Sequence, residues 1–421
     1  EHTPTINRLM AEGINFTDFY TPAYGSVRTF NTEFCANTGS FLSSQGGYAF
    51  DYVTNDFRQS LANRLTDIGY SAKVYHYNSP NFYSRGVFSP AMGYEEYVCY
   101  EDYVTEENKK DLYDDQFLFD NADISADFFR DGQKLQSYTR PQSIDFGEPD
   151  SYFALPGIPT FRGNNYRDNA AYGTANIKDK TLSMAWTANS TKLPGGIWEG
   201  SGWTGQPLIV KWDDATKAIM NLYDTKKAKA DLVEVIYATL DGHIYFLDLA
   251  DGTPTRDAIN MGMCFKGSGA LDPRGYPIMY VGSGVSIGNK SPRMYAISLI
   301  DTSILWDSGG ADNFAYRGWY AFDSSPMISA ETDTLIWGGE CGILYTIKLN
   351  SVYDAAAGTM TIDPIIDRYW YESKVTTRPG MENSVAVYNH YAYFADNSGL
   401  ITCLDLNTMT PVWCFDALDD T

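Results

Sequence analysis

No run of roughly 18 apolar residues interrupts this 421-residue sequence, so nothing in it reads as a membrane-spanning helix. Basic residues are scarce. Only 31 Lys and Arg stand against 53 Asp and Glu, and the formal net charge of −22 leaves no basic footprint for nucleic acid. The same deficit works against docking on anionic lipid head groups, so membrane contact would have to run through an anchor missing from the sequence. Cysteine is sparse too. The six residues Cys35, Cys99, Cys264, Cys341, Cys403 and Cys414 show no CxxC spacing, which argues against a zinc site. Cys403 and Cys414 flank a short turn at Asn407–Thr410; a disulfide across that hairpin is open, with two buried thiols the favoured reading. Of the four histidines, His2, His76, His243 and His390, none follows an Asp. There is no initiator Met and no secretory leader, and a chain opening at Glu1-His2 reads as cut from something longer.

What the sequence does have is aromatic side chains: 15% of residues, with 32 Tyr, in a chain of ordinary hydrophobic content at 44%. Tyr favours strands and half-wet apolar surfaces, which points to β structure and exposed binding faces. The first 120 residues alternate helix and strand. Thr3-Pro4 starts a helix, Ile14–Tyr20 alternates as a strand, and Asp56 to Ile68 is predicted to be helical until Gly69 stops it. Phe57, Leu61, Leu65 and Ile68 would form that helix's buried face, and Ser71–Tyr77 the next strand. This is the grammar of an α/β layer fold. Residues 121–160 break it with Pro, Gly and Ser and no sustained period, and read as a linker or junction.

From Phe161 to Thr421 short strands and turns take over, and an internal repeat emerges. Val235–Leu249, Leu335–Leu349 and Tyr391–Leu406 each contain a strand, a turn closed by Gly242, Gly342 or Gly399, and a second strand. Ile278–Val285 begins another copy, whose partner strand Arg293–Leu299 follows an insertion. Trp306, Trp370 and Trp413 mark a further strand after three of these hairpins, and Met184-Ala-Trp186 opens the series. Four strands per repeat is propeller grammar, here with about four to five blades. An open propeller exposes half a core, so the C-terminus also reads as cut. The repeats resemble the quinoprotein-type (PQQ-like) propeller, whose complete members close with seven or eight blades. The resemblance implies a quinone-dependent dehydrogenase as one alternative function. Against PQQ itself stand the absence of a vicinal Cys pair and of any recognisable calcium constellation. The Trp residues at strand ends read as blade packing. Aromatic loops at the propeller's faces, carrying Trp198, Trp203, Tyr316 and Trp319, are the candidate binding residues for a protein or glycan ligand.

In the N-terminal segment, Thr3–Tyr20, Val27-Arg-Thr-Phe-Asn-Thr-Glu-Phe34 and Tyr75–Arg85 occur in an order that resembles the sulfatase/alkaline-phosphatase superfamily. The likeness is to its lipoteichoic-acid-synthase-like phosphoglycerol transferases. It implies a partial α/β segment, a bacterial cell-surface setting and metal-dependent transfer or hydrolysis of a phospho- or sulfo-ester. By family position Thr29 would be nucleophile and metal ligand, and a helix N-terminus there would favour an anionic phosphoryl group. His76 and Arg85 would hold phosphate oxygens, Arg85 through its planar fork. Asn78 and Tyr83 fall on pocket positions where the family carries an acid and a Trp. The divalent metal, Mn or Mg, belongs to an intact parent protein. Its first acidic ligand precedes Glu1 by family position, and its later Asp-His pair has no counterpart here. On residues alone Thr29 also reads as a helix cap, His76 as a core residue and Arg85 as a surface cation. The reading of the whole chain is a multidomain cell-surface fragment. A truncated sulfatase-like segment (1–120) and a junction (121–160) precede a non-catalytic binding or scaffolding propeller (161–421).

Overall fold

In the computed structural model, residues 57–75, 85–99, 124–176, 178, 181–193, 198–201, 205–373 and 379–417 are described. The chain divides into two units, Glu1–Leu118 and Phe119–Thr421. Among the described residues no helix is long and apolar enough to cross a membrane.

In the first unit, strands Lys73–Tyr75 and Glu96–Val98 pair in parallel, and helix Arg85–Ala91 lies between them in sequence. A parallel pair needs such a crossover, so the α/β grammar is realised here. The preceding helix is shorter than its sequence pattern, running Leu61–Thr66 with Ser60 as its cap. Ser60 accepts from the Asn63 amide and donates to the Met92 carbonyl, tying the helix to the next one. Leu61 and Ile68 are exposed, 55% and 70%, and the buried contact is made by Ala62 instead. Six residues make fewer than two turns, too few for a four-residue apolar face. Gly69, at φ +93°, ends the segment as expected.

Among its described residues the second unit is a propeller of about four blades built around antiparallel hairpins. The hairpins are Glu234–Ala238 with His243–Asp248, Ile278–Gly282 with Arg293–Ser298, Thr334–Gly339 with Ile343–Lys348, and Tyr391–Ala395 with Leu400–Asp405. Gly242, Gly342 and Gly399 all sit at φ between +83° and +89°, the left-handed turn that only glycine adopts without strain. The repeats therefore follow the sequence pattern. Outer strands Ile304–Gly309, Ile365–Ser373 and Thr410–Asp416 carry Trp306, Trp370 and Trp413. Met184–Trp186 is no such strand. The Trp186 indole donates to the Leu249 carbonyl at 2.9 Å, and the first blade ends in Ile259–Asn260. Apolar faces of neighbouring blades pack into three successive cores. Phe246 and Met279 belong to the first, Tyr280 and Trp337 to the second, Leu344 and Phe394 to the third.

Residues 124–158 are not a plain linker. Ile124–Arg130 and Gln133–Leu135 add two strands to the outer edge of the third blade, which becomes a six-stranded sheet. The chain then crosses the inner edges of all four blades. Gly157–Ile158 pairs with Leu208–Val210, the inner strand of the first blade, and the Pro159 carbonyl accepts from Leu271 of the second. Thr160 donates to the Pro326 carbonyl beside the third, and Asn165 exchanges bonds with Val387 of the fourth. Arg167 fastens this crossing, donating to the carbonyls of Phe161, Ser325 and Val385 and to Thr160. Burial pulls its guanidinium down to about 10, so it stays charged at neutral pH.

Cys403 and Cys414 are not joined. In the register Cys403 faces Trp413 and Thr402 faces Cys414, so the two sulfurs leave opposite faces of the sheet. Burial pushes the Cys414 thiol up to about 11, and its Sγ lies 3.6 Å from the Thr402 hydroxyl.

Candidate functional site

The inner strands of blades two to four are each preceded by the same pattern, apolar–charged–any–Ser. It reads Phe265-Lys266-Gly267-Ser268, Phe322-Asp323-Ser324-Ser325 and Met381-Glu382-Asn383-Ser384. Because the repeat places these positions alike, their charged side chains converge at the end of the propeller that carries the glycine hairpin turns, here called the upper end. The Lys266 ammonium pairs with Asp323 and lies 3.8 Å from Glu340 and 3.9 Å from Glu382. Glu340 comes from the hairpin turn of the third blade, and Arg317 holds it by donating to its carboxylate at 3.0 Å and to its carbonyl. Asp323, Glu340 and Lys266 are buried, whereas Glu382 is exposed.

Burial, with Asp323 alongside, pushes the Glu340 carboxyl up to about 8, so it carries a proton at neutral pH. Burial alone would lower Lys266, but the three acids around it outweigh that and raise it. Asp323, Glu340 and Glu382 present oxygens within 4.8 Å of one another, a spacing that suits a metal ion. The fit fails on chemistry: the Lys266 ammonium already supplies the positive charge between them. Two cations in one hollow would repel, so this set works as an internally neutralised bolt between blades.

Beside it, the loop 311–320 shapes a hollow of about 390 Å³ walled by Phe129, Phe314, Tyr316 and Trp370, with Asp127 and Asn313 in its lining. The Tyr316 and Trp370 rings are 5.8 Å apart, and Phe129 and Phe314 are 4.8 Å apart. The strand Ile124–Arg130 contributes Phe129 and Asp127, so the added edge of the third blade makes one wall. Arg368 fixes the loop from below, bonding Asp312 at 2.8 Å and lying over the Phe314 ring.

Among the residues singled out from sequence, Tyr316 lies in this hollow and Trp319 is 47% exposed on the same loop. Trp198 is elsewhere, half-buried against Leu193, Leu240, Cys264 and Val285, where it packs the first blade's upper end. Trp203 lies outside the described residues, as do Thr29, His76, Asn78 and Tyr83. Arg85 is described, and it is buried at 1% exposure at the start of its helix, so it is no surface cation. The sequence reading missed Phe129 and Asp127, which fell in the presumed linker, and treated Trp370 as blade packing alone. It also missed the charged cluster, although the recurring apolar–charged–any–Ser pattern was there to be found.

Residues 1–136 match the family described as Sulfatase, and a β-propeller of about four blades follows that matched segment. The match runs past the boundary of the first unit and through the two strands that complete the third blade. No curated protein matches the chain. Among solved structures, it is similar to the quinohemoprotein alcohol dehydrogenase of Comamonas testosteroni, at 11% identity and TM-score 0.37, covering 63% of this chain and 49% of that one. BamB from Moraxella catarrhalis is similar at 14% identity and TM-score 0.31, with 57% and 66% covered. The quinohemoprotein alcohol dehydrogenase ADHIIG from Pseudomonas putida HK5 gives 10% identity and TM-score 0.34, with 63% and 48% covered. The chain thus spans about half the length of the two dehydrogenases.

Proposed function

We propose that this chain is a cell-surface binding protein whose propeller holds a glycan in the aromatic hollow at the upper end of the third blade. The observation that carries this reading is the wall of Phe129, Phe314, Tyr316 and Trp370 with Asp127 and Asn313 among them. Apolar sugar faces lie on aromatic rings, while a carboxylate and an amide take up hydroxyls, the usual division of labour in a small-molecule pocket. Asp127, the carboxylate in the lining, is paired with Lys134. The charged cluster nearby has its own counter-charges, which supports binding over catalysis. The test is calorimetry of the whole chain with a panel of soluble oligosaccharides and with Trp370→Ala. Binding that weakens by about tenfold or more in the variant, a loss in keeping with one aromatic contact in a pocket, supports the reading. Equal binding by the variant, or capture only of peptides, ends it.

The sulfatase-family match over residues 1–136 supports a second reading, metal-dependent ester transfer or hydrolysis with Thr29 as nucleophile. A manganese titration decides it. Tight binding that Thr29→Ala abolishes would favour the enzyme, and no binding would leave the propeller as the working part.

A further inference from the structure

At the opposite, lower end of the third blade lies a second hollow of about 340 Å³, and its charge runs against that of the whole chain. Three of the scarce cations, Arg130, Arg140 and Lys348, line it against two carboxylates, Asp131 and Asp367. Arg130 is already paired with a carboxylate: it forms a two-pronged pair with Asp367 and touches the Tyr138 hydroxyl at 3.3 Å. Arg140 is not. Its Nε donates to the Leu406 carbonyl at 2.9 Å and one terminal nitrogen reaches the Met409 sulfur at 3.6 Å, but it bonds no carboxylate. Burial pulls the Arg140 guanidinium below its ordinary range; Tyr138 and Asp367 oppose that pull and Arg130 adds a little to it. Lys348 donates to the Thr332 carbonyl, and its nearest acid, Asp333 at 3.9 Å, is already held by Arg274 at 2.7 Å. Tyr138, Pro141 and Ile365 give the hollow apolar walls. A desolvated cation lacking a counter-charge is costly, and a ligand that brings the charge removes the cost.

We propose that this hollow binds a small organic anion, a single carboxylate, sulfate or phosphate group on a ring-sized apolar body. Arg140 anchors the oxyanion, Lys348 assists, and Tyr138 and Ile365 flank the body. The guanidinium's planar fork suits any of the three oxyanions. The site is separate from the aromatic hollow at the upper end and does not depend on it.

The experiment is calorimetry of the whole chain with benzoate, phenyl sulfate and phenyl phosphate, with benzyl alcohol as the neutral probe. At least one anion should bind, benzyl alcohol should not, and affinity should fall as salt rises. Arg140→Gln should weaken the anion about tenfold or more, and Lys348→Gln severalfold, since charge-assisted bonds are the strong ones. Trp370→Ala should leave it unchanged. Because Arg140 also ties down Leu406, Lys348→Gln serves as the deciding variant if Arg140→Gln fails to fold. Failure of every anion to bind, equal binding by both charge variants, or loss in Trp370→Ala would each overturn the proposal.

Discussion

At its upper end the propeller surrounds Lys266 with Asp323, Glu340 and Glu382, whereas at its lower end Arg140 meets a carbonyl, a sulfur and the Tyr138 ring but bonds no carboxylate. Lys266 is buried and Arg140 half-buried, and both belong to a chain with acids to spare. The difference lies in where the counter-charge comes from. The upper cluster supplies its own from three blades and closes on itself. The lower hollow keeps Asp367 for Arg130 and leaves Arg140 short. A buried charge balanced from within belongs to the architecture, and one left unbalanced beside a cavity points to something from outside.

Lys266→Met breaks the upper half of this comparison and should have the largest effect. It leaves the buried Asp323 carboxylate without its cation, a loss of about 3–5 kcal/mol in urea unfolding. A loss below about 1 kcal/mol would mean the cluster does not join the blades. Glu340→Gln sharpens the comparison through pH. Glu340 titrates near 4.5 when unfolded and about 8 when folded, so the folded state holds the extra proton between those values. Its stabilising share is complete below pH 4.5 and is lost as pH rises towards 8 and beyond. The variant lacks that loss, and from pH 5 to 8.5 it should gain at least about 1 kcal/mol on the wild type. Parallel pH curves for the two proteins would count against a protonated Glu340. In the lower hollow, Arg140→Gln should cost stability no more than about 1 kcal/mol, one hydrogen bond's worth, despite its effect on anion binding. The smallest effect belongs to the Lys73–Glu96 pair of the first unit, both side chains about half exposed. Lys73→Gln there should change the unfolding free energy by less than about 0.5 kcal/mol, the baseline for a charge pair bathed in water.

Much of the propeller was legible because its signals are local. Gly242, Gly342 and Gly399 need a backbone that glycine alone adopts freely, and Trp306, Trp370 and Trp413 fall at matching places in three outer strands. Met184–Trp186 imitated that spacing, but its Trp is held by a loop carbonyl and not by a sheet neighbour. The presumed linker failed for the opposite reason. Strand Ile124–Arg130 finds its partner in Ile365–Ser373, and nothing local to residues 121–160 announces a pairing so distant. The aromatic hollow was half legible: Tyr316 stood out, but Phe129 gained its meaning only once that edge strand was in place. The charged cluster required aligning three copies four positions ahead of their inner strands, where burial and charge conflict and composition gives no hint.

The outer edge of the third blade has one more consequence, for the order in which this protein can be built. Arg130 bonds Asp367, 237 positions further along the chain. On a ribosome adding about 5–20 residues per second, the strand from Ile124 to Arg130 emerges roughly 10–50 s before its mate exists. For that interval Phe128 and Phe129 travel on a strand with Gln133–Leu135 on one side and an open edge on the other, the kind of edge that recruits other chains. Stalled synthesis anywhere before Ile365 would leave that edge uncovered, so the strand Ile365–Ser373 acts as the cap for one made far earlier.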